Sequence, residues 1–120
     1  MAELEPTELE WVQRTCRIVQ QWRSPGTTIL QLFQDANPDL SDRQLFLAQV
    51  ANYLESHADL IDAWQGYSWD KRSTPSSYLD GLEVGFYSDG RQDVKLHEDA
   101  PSACADFLFR ECISVLGHIS

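Results

Sequence analysis

A hairpin signal near residue 90 constrains the fold more than any other feature of the sequence. Apolar residues alternate with polar or small ones over residues 82–87, which is the period of a half-buried β-strand. Asp89-Gly90 follows, and this dipeptide between two alternating runs is typical of a tight β-turn. The alternation resumes beyond the turn, with Val94 and Leu96 as its apolar members. The sequence therefore predicts an antiparallel hairpin with one apolar side.

The segment before the hairpin is rich in turn-forming residues. Ser, Thr and Pro surround three consecutive charged residues at positions 70–72. Two short stretches, Tyr67–Trp69 and Ser77–Leu79, are candidates for a third strand. Residues 67–98 are therefore expected to form a loop and then a β-hairpin or a three-stranded antiparallel sheet.

The first 66 residues have the spacing of amphipathic helices. Thr7 with Glu10 matches a capping box, and apolar residues then recur three and four positions apart until Ser24-Pro25-Gly26. Residues 28–36 fit a short helix about as well as a strand. The stop signal Asn37-Pro38 favours the helix.

Two more helices are expected before Gly66. Ser41 with Gln44 matches a second capping box, which precedes an amphipathic stretch. A further short helix carries Leu60 and Trp64 and is expected to end near Gly66. Residues 1–66 are therefore predicted to be helical.

Residues 99–117 are predicted to form a helix at the centre of the fold. Asp99 is its expected N-cap, Pro101 is tolerated in the first turn, and Gly117 suits the position after the last turn. Apolar residues, with Cys104 and Cys112 among them, cover most of its circumference, as in a buried helix. The order of helices, sheet and helix predicts an α+β fold, with residues 1–120 as a single domain.

Charge and composition exclude several classes of function. A net charge of -10 would repel a phosphate backbone, so nucleic-acid binding is not expected. The apolar runs are too short to span a membrane, and the acidic start is unlike a signal peptide. The three cysteines form no CxxC pair, which favours a reducing, cytoplasmic location. No spacing typical of a metal, nucleotide or other cofactor site occurs.

One surface is the candidate for function. Two acidic segments flank a nearly neutral aromatic loop, and aromatic side chains beside arginine are typical of binding hot spots. The predicted partner-binding residues are Trp69, Asp70, Lys71, Arg72, Tyr78, Asp80, Glu83, Tyr87, Asp89 and Asp93. The alternative is that Trp64 and Phe86 complete the core and that the acids form an ordinary solvated sheet face.

In general character the chain resembles the immunity proteins of bacterial toxin systems. The resemblance lies in its small size, its acidity and its ending, LEVGFYSDGRQDVKLHEDAPSACADFLFRECISVL. That resemblance implies a compact domain that binds and neutralises a cognate toxin, such as a basic nuclease. Acidic side chains would speed its encounter with a basic partner.

Two other classes of function remain open. A regulatory or adaptor domain, which binds some other protein or forms a homodimer, would share the same exposed aromatic residues. A small enzyme would use His97 with Asp93 or Asp99, or Cys112 with His118. No nucleophile, base and orienting group stand together in the sequence, so an enzyme is the less favoured class.

Overall fold

The computed structural model describes residues 6–22, 24–70 and 76–116. These residues form five α-helices, one 3-10 helix and a three-stranded antiparallel sheet, so the predicted α+β fold is confirmed. The elements are α1 (Pro6–Cys16), a 3-10 helix (Ile18–Gln20), α2 (Ile29–Ala36), α3 (Arg43–Glu55), α4 (Ala58–Asp70), β1 (Ser76–Asp80), β2 (Glu83–Tyr87), β3 (Arg91–Leu96) and α5 (Ala100–Leu116).

The ambiguous segment at 28–36 is a helix, α2, as the sequence favoured. The Thr28 side chain caps its N-terminus by accepting a hydrogen bond from the backbone N–H of Gln31 at 3.1 Å. Asn37 ends it in the left-handed conformation, with φ of 51°, and donates its N–H to the Phe33 carbonyl. Local capping interactions at Thr28 and Asn37 therefore set the two ends of this helix.

Both predicted capping boxes are misplaced. The chain is already helical at Pro6, so Thr7 lies inside α1 and not at its N-cap. The N-cap of α3 is Asp42, whose carboxylate accepts from the Leu45 backbone N–H at 3.1 Å. Ser41 instead hydrogen bonds to Asp39. A carboxylate is as good a cap as a hydroxyl, so the motif alone does not choose between neighbouring candidates.

Helix α4 does not end near Gly66 but continues to Asp70. Gly66 has open space around the position of a Cβ, and a single helical glycine costs only about 1 kcal/mol. Tyr67 is buried one turn beyond Trp64 and two turns beyond Leu60, so tertiary packing offsets that cost. The predicted loop at 67–70 is therefore helix, and Ser77–Leu79, not Tyr67–Trp69, lies in β1. Lys71, Arg72, Gly117 and His118 lie outside the described residues.

The hairpin is confirmed, with Tyr87 opposite Arg91 and with Asp89 and Gly90 at positive φ in the turn. The prediction of one apolar side for the hairpin is wrong for β3. Asp93, at φ of 52°, lies where the register shifts between β2 and β3, and such a bulge breaks the alternation of sides. Val94 and Leu96 are consequently exposed, by 47% and 72%.

Helix α5 is central, as predicted. It packs on α2, α3 and α4 and on strands β1 and β2, and Phe107 and Leu108 on it are fully buried. Asp99 caps it by accepting from the Ser102 backbone N–H at 2.9 Å. All three cysteines are buried, and burial raises the pKa of their thiols. Within the described residues, no helix is long and apolar enough to cross a membrane.

Candidate protein-binding surface

The two edges of the sheet differ in how their backbone groups are covered. At the end of β1, helix α4 supplies hydrogen-bond partners for the backbone groups of Leu79 and Gly81. Ser68 Oγ accepts from the Leu79 N–H at 2.8 Å, and Gln65 donates to the Leu79 carbonyl and accepts from the Gly81 N–H. Every residue of β3 is exposed. The β1 edge is therefore closed by α4 at Leu79, whereas the residues of the β3 edge face solvent.

The register also divides the side chains between two faces of the sheet. Residues directly opposite one another on neighbouring strands share a face. Leu79 pairs with Val84, and both are buried towards α5 on the inner face. The opposite face is called here the outer sheet face. The register places on it Tyr78, Asp80, Glu83, Gly85, Tyr87, Arg91 and Leu96. Val94, two residues before Leu96, lies on the same side by alternation.

Four side chains of the outer sheet face form one polar network. The Tyr78 hydroxyl donates to Glu83, and Arg91 Nη1 lies 2.7 Å from Glu83 Oε2. Arg91 Nη2 lies 3.4 Å from Asp80 Oδ2, and the guanidinium lies 5.0 Å from the centroid of the Tyr78 ring. Because each strand contributes at least one member, the network fixes these side chains relative to one another.

Gly85 makes room for the Tyr78 ring. A Cβ at Gly85 would lie 2.7 Å from Tyr78 Oη and 2.8 Å from ring carbons, which is too close for any side chain. The ring therefore lies flat across β2, where it covers a glycine that would otherwise expose backbone. This placement brings the Tyr78 hydroxyl to Glu83.

The network also sets protonation states. The hydrogen bonds from Tyr78 and Arg91 hold the pKa of Glu83 below its usual value. Desolvation and the hydrogen bond to Glu83 raise the pKa of Tyr78 to about 12. Glu83 is therefore ionised and Tyr78 neutral throughout the physiological pH range.

Apolar side chains lie beside this network without a covering element. Tyr87 is 46% exposed, and Val94 and Leu96 extend the same face along β3. Trp69 is 63% exposed and follows Gln65 by one helical turn, which places it on the side of α4 that faces β1. An exposed aromatic and aliphatic surface next to arginine has the composition of a protein-binding site.

The structure brings together four of the predicted site residues, Tyr78, Asp80, Glu83 and Tyr87, on the outer sheet face. Asp89 lies in the hairpin turn, and Asp93 lies at the bulge. Trp69 and Asp70 are the last residues of α4. Sequence reasoning missed Arg91, although the hairpin register was enough to place it opposite Tyr87.

A second polar cluster, absent from the sequence prediction, surrounds a buried carboxylate on α5. Asp106 is fully buried and lies within 3.2 Å of Arg43, 3.1 Å of Arg110 and 2.8 Å of His97. Burial acts to raise the pKa of Asp106, but the hydrogen bonds from His97 and Arg110 bring it below its usual value. A charged group buried in this way needs such partners.

This cluster changes the interpretation of the candidate catalytic groups. His97 hydrogen bonds to Asp106 and not to Asp93 or Asp99, and its own backbone N–H donates to the Leu82 carbonyl. The Cys112 thiol is buried with a raised pKa, which disfavours the nucleophilic thiolate. Within residues 6–22, 24–70 and 76–116, no group of three His, Cys, Asp or Glu side chains is placed to hold a metal ion.

Comparisons with models of protein families, with curated proteins and with solved structures gave no match to this chain.

Proposed function

We propose that this domain binds and neutralises a basic partner protein, as an immunity protein does its toxin, and that the outer sheet face is its docking surface. The observation that carries the proposal is the exposure of Tyr87, Val94 and Leu96 beside a prearranged network of Asp80, Glu83 and Arg91. Apolar side chains supply the burial, and the acids select the partner.

The arrangement of the network favours tight association. Ordering free side chains at an interface costs about 0.5–1.5 kcal/mol each. Tyr78, Glu83 and Arg91 are already held by hydrogen bonds and by stacking, so little of that cost remains. A partner would therefore meet a rigid aromatic and charged surface.

The size of the surface indicates how far the interface must extend. Three strands of five or six residues cover roughly 15 by 17 Å, or about 250 Å². A standard interface buries about 800 Å² on each partner. The contact must therefore include neighbouring groups, and Trp69 beside β1 and Asp89 at the hairpin turn are suitably placed.

Charge favours a basic partner over a second copy of the chain. The protein carries -10, and residues 80–99 hold six acids against two bases. Two copies would repel one another, whereas a cationic protein would be attracted over about a Debye length of 8–10 Å. The bulge and the charged residues of β3 also disfavour strand-to-strand pairing at that edge.

The test is co-expression with the product of the gene adjacent to the one that encodes this chain. We expect that product to arrest growth alone and to be neutralised by this domain, with binding that weakens as salt increases. Leu96→Asp should weaken binding at least about tenfold, because it places a buried, unpaired charge at the contact. Leu30→Asp, at an exposed leucine of α2, is the matched control.

Equal binding by Leu96→Asp and the unmodified protein would remove the outer sheet face as the docking surface. A bound partner without toxicity would instead support the regulatory or adaptor class. A concentration-dependent dimer in analytical ultracentrifugation, abolished by Leu96→Asp, would assign the face to self-association.

A further inference from the structure

A groove on the other side of the sheet carries a second, independent inference. It lies between the inner face and helices α3 and α5, and its volume is about 550 Å³. Two arginines, three apolar side chains and one acid define its chemistry: Arg43, Arg110, Phe86, Phe109, Ile113 and Asp93. Two serines complete the lining. Ligand pockets typically occupy about 300–1,000 Å³.

The guanidinium groups of Arg43 and Arg110 are both held in place by the buried Asp106. Arg43 Nη2 and Arg110 Nε lie 3.2 and 3.1 Å from the same oxygen of the buried Asp106. Arg110 also donates from Nη1 to the Asp93 carbonyl at 3.0 Å. This shared carboxylate and the bulge at Asp93 fix both arginines at the groove without any ligand.

Arg43 keeps donors for a further acceptor. A guanidinium carries five N–H groups, and Arg43 uses one nitrogen for Asp106 while its side chain is half exposed. Its guanidinium lies 5.7 Å from the centroid of the Phe109 ring, so a charged and an aromatic surface adjoin. Asp106 and Asp93 match the two arginines in number, so recognition of an anion depends on the N–H groups that Arg43 does not use for Asp106.

We propose that this groove binds a small aromatic carboxylate. Its carboxylate would accept hydrogen bonds from Arg43, for which the planar guanidinium is well suited. Its ring would lie on Phe86, Phe109 and Ile113. Asp93, at the rim, disfavours a ligand with a second negative charge. The inference is separate from the proposed function, because the groove and the outer sheet face lie on opposite sides of the sheet.

The experiment is a titration of the isotope-labelled protein with 3-phenylpropionate, followed by amide chemical shifts. We expect shifts at Phe86, Ile113 and Ser114 and a dissociation constant of about 1 mM, as is ordinary for so small a ligand. The neutral analogue 3-phenylpropanamide should bind at least about tenfold more weakly, because it lacks the charge that Arg43 recognises.

Two variants and one control localise the binding. Arg43→Gln and Ile113→Asp should each weaken carboxylate binding at least about tenfold, the first by removing the cation and the second by adding a like charge. Ile113 is exposed, so its substitution keeps the test valid if Arg43→Gln fails to fold. Arg14→Gln, at an exposed arginine of α1, should leave binding unchanged.

Three results would overturn the proposal. These are an absence of shifts at about 10 mM ligand, equal binding of the acid and its amide, and equal losses in Arg43→Gln and Arg14→Gln.

Discussion

His97 Nε2 lies 2.8 Å from Oδ2 of Asp106, which joins the end of the β-hairpin to the middle of the central helix. The carboxylate is fully buried, and the imidazole is only 10% exposed. Arg43 on α3 and Arg110 on α5 bond the other oxygen. Three elements of the fold therefore meet at one carboxylate.

Asp106→Asn is expected to destabilise the domain strongly. Removing one partner of a buried charged cluster typically costs about 3–5 kcal/mol, because the remaining charges lose compensation. Urea denaturation should show this as a lower midpoint. Asp62→Asn, at an exposed acid of α4, is the matched control and should change the free energy of unfolding by less than about 0.5 kcal/mol. Equal stability of the two variants would make the cluster energetically unimportant.

The same carboxylate predicts a loss of stability in acid. The pKa of Asp106 is lower in the folded protein than its unfolded value of about 3.9. Its contribution is therefore complete above about pH 5 and is lost as the pH falls through the folded pKa. Denaturation between about pH 5 and pH 2 should show a smaller loss in Asp106→Asn than in the unmodified protein. Identical pH profiles would contradict this assignment.

Leu108→Ala should cost about 2–5 kcal/mol, because Leu108 is fully buried on the helix that contacts both the other helices and the sheet. Chemical denaturation measures the loss. Ile113→Ala, on the same helix but 41% exposed, should cost less than about 1 kcal/mol. A loss below about 1 kcal/mol for Leu108→Ala would mean that α5 is peripheral to the core.

Gly85→Ala should displace the Tyr78 ring from β2 and break its hydrogen bond to Glu83, since the new Cβ would overlap the ring. The pKa of Tyr78, about 12 in the unmodified protein, should then fall towards its ordinary value of about 10. Labelled tyrosine carbons report this ionisation by NMR. Gly66→Ala, at a helical glycine with open space around it, is the control. An unchanged Tyr78 titration would contradict the placement of the ring.

Trp69→Ala should weaken binding to the proposed basic partner by more than about 1 kcal/mol without unfolding the domain. Its side chain is 63% exposed, so its removal leaves no cavity in the core. Calorimetry with the product of the adjacent gene measures the affinity, and circular dichroism checks the fold. Unchanged affinity would remove Trp69 from the contact. Arg72→Ala carries the same prediction from sequence.

The parts of the fold with local chemical signals were predictable. Asp89-Gly90 fixes the hairpin turn, and Asp99 caps α5, because each depends on a few neighbouring residues. The bulge at Asp93 was not predictable, since it arises from the pairing of two strands. Without the bulge, Val94 and Leu96 looked like core residues.

The buried acids were missed for a related reason. Asp106 and Glu111 are among the few polar residues in the apolar pattern of α5, yet both are buried. Their partners lie far along the chain: Arg43 for Asp106, and Tyr67, which donates to Glu111 at 2.6 Å. A helical pattern indicates the direction of a side chain but not the residues that it contacts in the folded protein. The candidate site was predicted only in part, because its members are also brought together by tertiary structure. Its acids were predicted and Arg91 was not.

The closed β1 edge also limits how the sheet can grow. Gln65 and Ser68 already occupy the outward backbone groups of Leu79, so within the described sheet a further strand would add more readily at β3. Pairing of two β3 strands about a two-fold axis would leave a helix-covered edge at each end of the joined sheet. Fibrillar stacking needs two open edges on every copy. The sheet exposes Val94 and Leu96, which favour association. By covering part of one sheet edge, helix α4 opposes the growth of such an association into a polymer.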